Sequence, residues 1–149
     1  MSDTSLNLKE FFTLDHRRCD EKWAEVEAAA QAGDVELEKQ NWRAFQDEML
    51  RHLRMEEEVM FPAFEQASGL TDSGPTFVMR SEHEQMRGLI EQMSAAADGD
   101  DYDEVVDLGD TLLMLIQQHN QKEEQMLYPM AERALAADWE KILERLIEY

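Results

Sequence analysis

The four histidines of this 149-residue chain fall in a pattern that repeats. His16 and His52 lie 36 residues apart, as do His83 and His119, and the second pair follows the first at an offset of 67. His52 and His119 are each followed four residues later by a glutamate, Glu56 and Glu123. The segments beginning there, HLRMEEEVMFPAFE and HNQKEEQMLYPMAE, share H-x-x-x-E-E, a polar residue, two apolar residues, an aromatic and a proline. A satisfied core residue is an adequate account of one buried histidine. It does not account for an imidazole–carboxylate set that is duplicated. The pattern points to a two-metal site built from His16, His52, Glu56, His83, His119 and Glu123.

Helical spacing makes that chemistry possible. Four residues along a helix turn through about 400° and rise roughly 6 Å, so each His–Glu pair projects from one face, one turn apart. Burying an unpaired carboxylate costs several kcal/mol or forces it to take up a proton, and a metal ion removes that penalty. Imidazole with carboxylate suits iron, manganese or zinc, and the lack of clustered thiols argues against copper(I) or an iron–sulfur cluster. A lone zinc would use only three or four of the six residues. Two six-coordinate irons would take four imidazoles, two bridging carboxylates and a bridging oxide or hydroxide, leaving about one position open on each. HEQMR, at His83, has arginine where a zinc protease has its second histidine. The spacing also differs from the Glu-x-x-His of ferritin-like di-iron proteins.

Such a site needs four elements that converge. Glycine and proline punctuate the chain at Gly33, from Ser68-Gly69 to Gly74-Pro75, and at Asp98-Gly99-Asp100. Between them lie four stretches with helical apolar spacing, and all six site residues fall on the stripes. The first stripe is Leu8, Phe12, His16, Cys19, Trp23, Val26 and Ala30; the second is Trp42, Phe45, Met49, His52, Glu56, Val59 and Ala63. The third runs Thr76, Met79, His83, Met86, Ile90, Met93 and Ala97; the fourth runs Val105, Leu108, Leu112, Leu115, His119, Glu123, Met126 and Met130. Short connections make sequential helices antiparallel neighbours, which predicts an all-α, up-down-up-down four-helix bundle. A further short C-terminal helix, with Trp139, Ile142, Leu143 and Leu146 on one face, should pack across the bundle or form a contact. Pro62 and Pro129 each remove a backbone hydrogen bond inside a helical pattern, so each helix is expected to bend or end there.

Length and composition set the remaining bounds. Residues 1–149 are expected to form a single domain with a real core. Fourteen basic against 34 acidic residues leave a net charge of −20, which disfavours nucleic acid and anionic membrane as partners. Small neutral ligands are not disfavoured. The longest apolar run, Leu112 to Ile116, is far too short to span a bilayer. The N-terminus lacks the basic-then-apolar layout of a signal peptide, and Cys19, the sole cysteine, can form no internal disulfide. A cytoplasmic location is the expectation.

The chain resembles the hemerythrin family, in its HHE-type, hemerythrin-like branch. The resemblance runs from LDHRR around His16, through HLRMEEEVMFP and SEH at His83, to HNQKEEQMLYP. It implies two irons, one bound by His16 and His52 and the other by His83 and His119, with Glu56 and Glu123 bridging. It also implies binding of dioxygen, nitric oxide or peroxide, for sensing, storage or detoxification. Oxygen-carrying members have a fifth histidine four residues after the third; here that position is Arg87, which cannot ligate iron. They also tend to carry the last carboxylate five residues after its histidine, which is Glu124 here, whereas the internal repeat favours Glu123. Open positions on both irons leave a second expectation, an enzyme that reduces peroxide, oxygen or nitric oxide. No fused module points to an electron donor.

Several other residues have ordinary explanations. Asp20, one turn beyond His16, is expected to be exposed rather than an extra ligand, and Cys19 to be a small core residue. Arg87 is expected to pair with Glu84 or Glu91. The methionines, Met49, Met86 and Met126 among them, are expected to fill the core. The acidic runs Glu56–Glu58 and Asp98–Glu104, apart from Glu56, are expected to face solvent.

Overall fold

The computed structural model describes residues 6–149, and among them there are helices and no strands. Helix α1 spans Leu8–Ala32 and α2 spans Val35–Met55. A π-helical turn, Glu56–Met60, carries α2 into α3, Phe61–Ser68. Helices α4 (Pro75–Asp98) and α5 (Tyr102–Lys122) follow, and a second π-helical turn, Glu123–Leu127, leads into α6, Tyr128–Ala134. A short 3₁₀ turn, Ala136–Asp138, precedes α7, Trp139–Ile147. The result is the expected all-α bundle of four long rods: α1, α2–α3, α4 and α5–α6, with α7 added.

Local chemistry sets where the rods begin and end. Asn7 and Glu10 form a reciprocal capping box on α1, and the Asp34 and Asp101 carboxylates cap α2 and α5. Gly33 and Gly69 close α1 and α3 with φ of 71° and 76°, a left-handed conformation that glycine adopts without strain. Pro75 opens α4, where its missing N–H would be unpaired in any case. The breaks predicted at Gly33, from Ser68 to Pro75 and at Asp98–Asp100 are observed; those expected at Pro62 and Pro129 are not.

The core is divided. One apolar cluster contains Cys19, Trp23, Phe45, Met49, Leu53, Met86, Ile90, Leu112 and Ile116 among others. A second contains Leu8, Phe12, Met55, Met60, Phe61, Phe64, Met79, Leu127, Tyr128 and Ala131. All four rods contribute to both, and the four histidines with Glu56 and Glu123 lie along the rods between them. Helix α7 closes the second cluster from outside, burying Ile142, Leu143 and Leu146, while Trp139 donates its indole N–H to the Leu6 carbonyl at 2.8 Å.

The prolines do not end or interrupt their helices. Upstream of each, the backbone widens by one residue: the Phe61 N–H donates to the Glu56 carbonyl and the Tyr128 N–H to the Glu123 carbonyl, both five residues back. The wide turn accommodates a residue that cannot donate, and the rod continues. The extra residue also shifts the buried stripe. Phe64 is buried where Ala63 was expected, and Leu127 and Ala131 replace Met126 and Met130; Met126 is 57 % exposed and is not core. The third stripe, with no such turn, is buried throughout as predicted.

Gly109 on α5 leaves room for the Trp23 indole of α1. A Cβ there would lie 2.1 Å from Trp23 Cη2, on an indole that is itself buried against Phe45. Gly109→Ala must displace the ring, at a cost of about 1–3 kcal/mol, which lowers the melting temperature by roughly 3–10 °C. Thermal unfolding of the two chains checks this, and a melting temperature equal to that of the unaltered chain would mean that the helices separate freely at this point.

Candidate metal centre

Each rod brings one histidine to the layer between the apolar clusters, and the two π turns each begin at a buried glutamate. His16, His52, Glu56 and Glu123 form one group whose donor atoms all lie within 4.8 Å of one another. Glu56, His83, His119 and Glu123 form a second group meeting the same limit. All six residues named from the sequence converge, and both glutamates belong to both groups.

The glutamates divide their oxygens between the halves. Glu56 turns Oε1 toward His83 Nε2 (3.1 Å) and Oε2 toward His52 Nε2 (3.5 Å). Glu123 turns Oε1 toward His16 Nε2 (3.0 Å) and Oε2 toward His119 Nε2 (3.2 Å). Each side chain therefore reaches both halves with different atoms, as a carboxylate bridging two cations would.

Every imidazole is committed at its outer nitrogen. His16 Nδ1 lies 2.8 Å from Glu124 Oε2, His52 Nδ1 2.7 Å from Asp15 Oδ2, His83 Nδ1 2.7 Å from Glu57 Oε2, and His119 Nδ1 2.8 Å from Glu82 Oε1. A carboxylate accepts, so each Nδ1 is the protonated nitrogen, and in the neutral ring Nε2 is left with a lone pair. The centre then presents four Nε2 lone pairs to four carboxylate oxygens, acceptor against acceptor. His83 Nε2 and His119 Nε2 face each other at 3.2 Å. His52 Nε2 and Glu123 Oε2 have no hydrogen-bond partner. Glu123 Oε2 does lie 3.2 Å from His119 Nε2, but without the alignment that a hydrogen bond requires. In the metal-free chain the conflict is relieved only by protonation. Burial disfavours a charged His52, yet Glu56 and Asp15 raise it well above its ordinary range; burial would likewise raise Glu56, but His52 and His83 hold it well below its own. His119 is likewise opposed by burial and raised by Glu123, Glu56 and Glu82, to about 9.

The outer carboxylates were not identified from the sequence, with Glu124 considered only as a ligand. They follow the same repeat: Asp15 and Glu82 immediately precede His16 and His83, and Glu57 and Glu124 immediately follow Glu56 and Glu123. Glu57, expected to face solvent, is half-buried and accepts from both His83 and Arg87. Arg87 thus pairs with Glu57 at 2.8 Å, not with Glu84 or Glu91, because the adjacent rod presents a carboxylate on the inner side of α4. Asp15 is fully buried; burial would raise it, but His52, Arg18 and Arg51 hold it at about 2. Glu82 pairs with Lys122. Glu124 holds the outer nitrogen of His16, and Glu123 alone of the two joins the inner group. Asp20 is exposed, as expected; Cys19 is buried in apolar surroundings that push its thiol up to about 12, a core residue and not a nucleophile.

One further residue sits at the centre. The Tyr128 hydroxyl, fully buried, lies 2.5 Å from Glu56 Oε2, 2.8 Å from Glu123 Oε1 and 3.0 Å from His16 Nε2. Its single proton can serve only one of these acceptors, so it reduces the mismatch without removing it. The repeated aromatic–proline pair was the available signal, but it groups Tyr128 with Phe61, and only the tyrosine carries a hydroxyl.

No helix is long and apolar enough to cross a membrane among the described residues. No curated protein and no solved structure matches the chain. The family description "Hemerythrin HHE cation binding domain" matches residues 7–131, a span that includes α1 to α5, most of α6 and every side chain of the centre. A cation-binding family and a buried layer of acceptors facing acceptors lead to one conclusion: this chain belongs to the hemerythrin family, with a metal-binding helical bundle.

Proposed function

We propose that His16 and His52 hold one iron ion, that His83 and His119 hold a second, and that Glu56 and Glu123 bridge them. On this reading the centre takes up dioxygen or another small ligand, nitric oxide or peroxide, for sensing, storage or detoxification. The observation that carries the proposal is the surplus of acceptors: four inward-facing Nε2 atoms and both carboxylates, buried together with one hydroxyl proton among them. Cations resolve this without protonating the histidines. Iron at these positions would supply a redox change and open coordination positions, with an oxide or hydroxide as a further bridge.

The chain's own groups prepare the site. Asp15, Glu57, Glu82 and Glu124 fix which imidazole nitrogen carries the proton and so direct Nε2 inward. Arg18, Arg51, Arg87 and Lys122 hold three of those carboxylates in place. The apolar clusters on either side keep bulk water away and strengthen electrostatic interactions in the layer.

A second reading, an enzyme that reduces peroxide, oxygen or nitric oxide, is supported by Arg87. The position that would carry a further histidine instead sends a guanidinium to Glu57, leaving the His83/His119 half without another nitrogen donor. A reduced sample exposed to oxygen and then degassed separates the two. Return of the reduced optical spectrum over repeated cycles supports a reversible binder, and a spectrum that stays oxidised supports the enzyme. We place this chemistry in the cytoplasm, consistent with its single buried thiol.

Chains loaded with iron should hold two ions each by metal analysis. His52→Ala and His119→Ala should each lose about one, and Glu56→Gln or Glu123→Gln should weaken both, since a bridging carboxylate serves two ions. Glu57→Gln, which loosens His83, should lower affinity by about 10- to 100-fold. One ion per unaltered chain, or glutamate variants that lose one ion and leave the other tight, would remove the bridged pair.

Metal-free and loaded chains should respond to pH in opposite directions. His119 is raised from 6.5 to about 9 in the folded metal-free chain, so its pairing stabilises fully below pH 6.5 and that contribution is lost as pH rises through 9. Metal requires the deprotonated Nε2, so its affinity rises over the same window. The gain in melting temperature on loading should therefore be larger at pH 9 than at pH 6.5, and a gain that shrinks as pH rises would contradict metal binding at these nitrogens.

A further inference from the structure

The duplicated scaffold is unequal at one pair of matched positions. Phe61 and Tyr128 are related by the same 67-residue offset as the histidines, and each follows a π turn and precedes a proline. Each ring is delivered to the layer: Phe61 lies 5.3 Å from the His83 ring, and Tyr128 stacks on His16 at 5.6 Å. Both are fully buried. Only Tyr128 carries a polar atom, and its three contacts are His16 Nε2, the Glu56 oxygen that faces His52 and the Glu123 oxygen that faces His16. On the other side of the layer the corresponding edge is the hydrocarbon ring of Phe61.

We infer that Tyr128 makes the two metal positions inequivalent. Its hydroxyl occupies the space beside His16 Nε2 and the two glutamate oxygens of the His16/His52 position and excludes an external ligand there, so a small ligand enters at the His83/His119 position, beside Phe61. The geometry supports this in two ways. An oxygen within 3.0 Å of three donor atoms of one half leaves little room for a further group on that side. The ring is wedged between Phe12, at 5.4 Å, and His16, so it cannot swing aside without opening the second apolar cluster. Phe61 offers no polar atom at the matched place. The inference rests on the proposed iron pair and concerns which member of that pair is open.

The test uses the full chain loaded with ⁵⁷Fe and read by Mössbauer spectroscopy, together with titration of azide as a small external ligand. The unaltered protein should show two distinct iron environments and bind one azide per chain. Tyr128→Phe makes the halves alike at this position, so the two environments should converge and a second azide should bind. Phe61→Tyr should instead suppress azide binding at the open position; it tests the same claim if the first variant folds poorly. Two irons per chain whose spectra and azide count are unchanged in Tyr128→Phe would overturn the inference and leave the iron pair standing. A chain that cannot hold two irons would overturn both.

Discussion

The structure is organised around a buried mismatch between acceptors and donors. Six side chains that can all accept are held in a layer from which water is largely excluded, above and below which the rods pack as ordinary apolar helices. Left unmatched, such a layer is among the costlier features a core can contain. The surrounding residues make it more acute: outer carboxylates commit each Nδ1 as a donor and so guarantee that each Nε2 faces inward as an acceptor. A sequence selected only for stability would place apolar residues at these positions, as it does one turn away at Phe12, Cys19, Met49, Met79, Met86 and Ile116. Retaining the mismatch makes physical sense when a cation is to be bound.

Backbone and site chemistry meet in the π turns. Each begins at one of the shared glutamates, whose carbonyl accepts the long-range hydrogen bond while its side chain reaches both halves. The same extra residue rotates Phe61 and Tyr128 onto the layer and relieves the missing N–H of the following proline. A regular α-helix through these segments would carry Met126 and Ala63 inward instead. The proline is thus not a stop but the sequence counterpart of a widened turn, which explains why it recurs in both halves at the same distance from the glutamate.

That geometry also explains what could be read from the sequence alone. Histidine positions, the glycine breaks and the parts of the stripes that precede the π turns depend on local periodicity. The stripe through Met126 and Met130 fails because a constant period of 3.6 cannot represent one added residue. The outer carboxylates escaped notice for a different reason. Asp15, Glu57, Glu82 and Glu124 stand beside the inward stripe, where acidic residues usually face solvent. Whether they turn toward a neighbouring rod is decided by packing between rods, which no single stripe encodes. The same holds for Arg87, whose partner Glu57 is 30 residues away on another rod while two nearer glutamates share its own helix. The 67-residue offset would have revealed the carboxylates if applied to the neighbours of each histidine as well as to the histidines.

The repeat separates features that both halves require from features that only one half has. Histidines, shared glutamates, outer carboxylates, π turns and prolines are all duplicated, and on the proposed reading they are the part that would hold two cations. The cations outside them are not duplicated: Asp15 is buried under two arginines, Glu82 has a lysine nearer the surface, and Glu57 has Arg87 where the matched residue is Asp20. The hydroxyl of Tyr128 is not duplicated either. In water such differences would be screened to little. In a dry layer, where electrostatic interactions are stronger and an unpaired polar group is costly, one hydroxyl and a rearranged set of surface charges weigh far more than they would in water. On the proposed reading the duplicated residues hold the metal, and the departures from symmetry are where a difference between the two halves would arise.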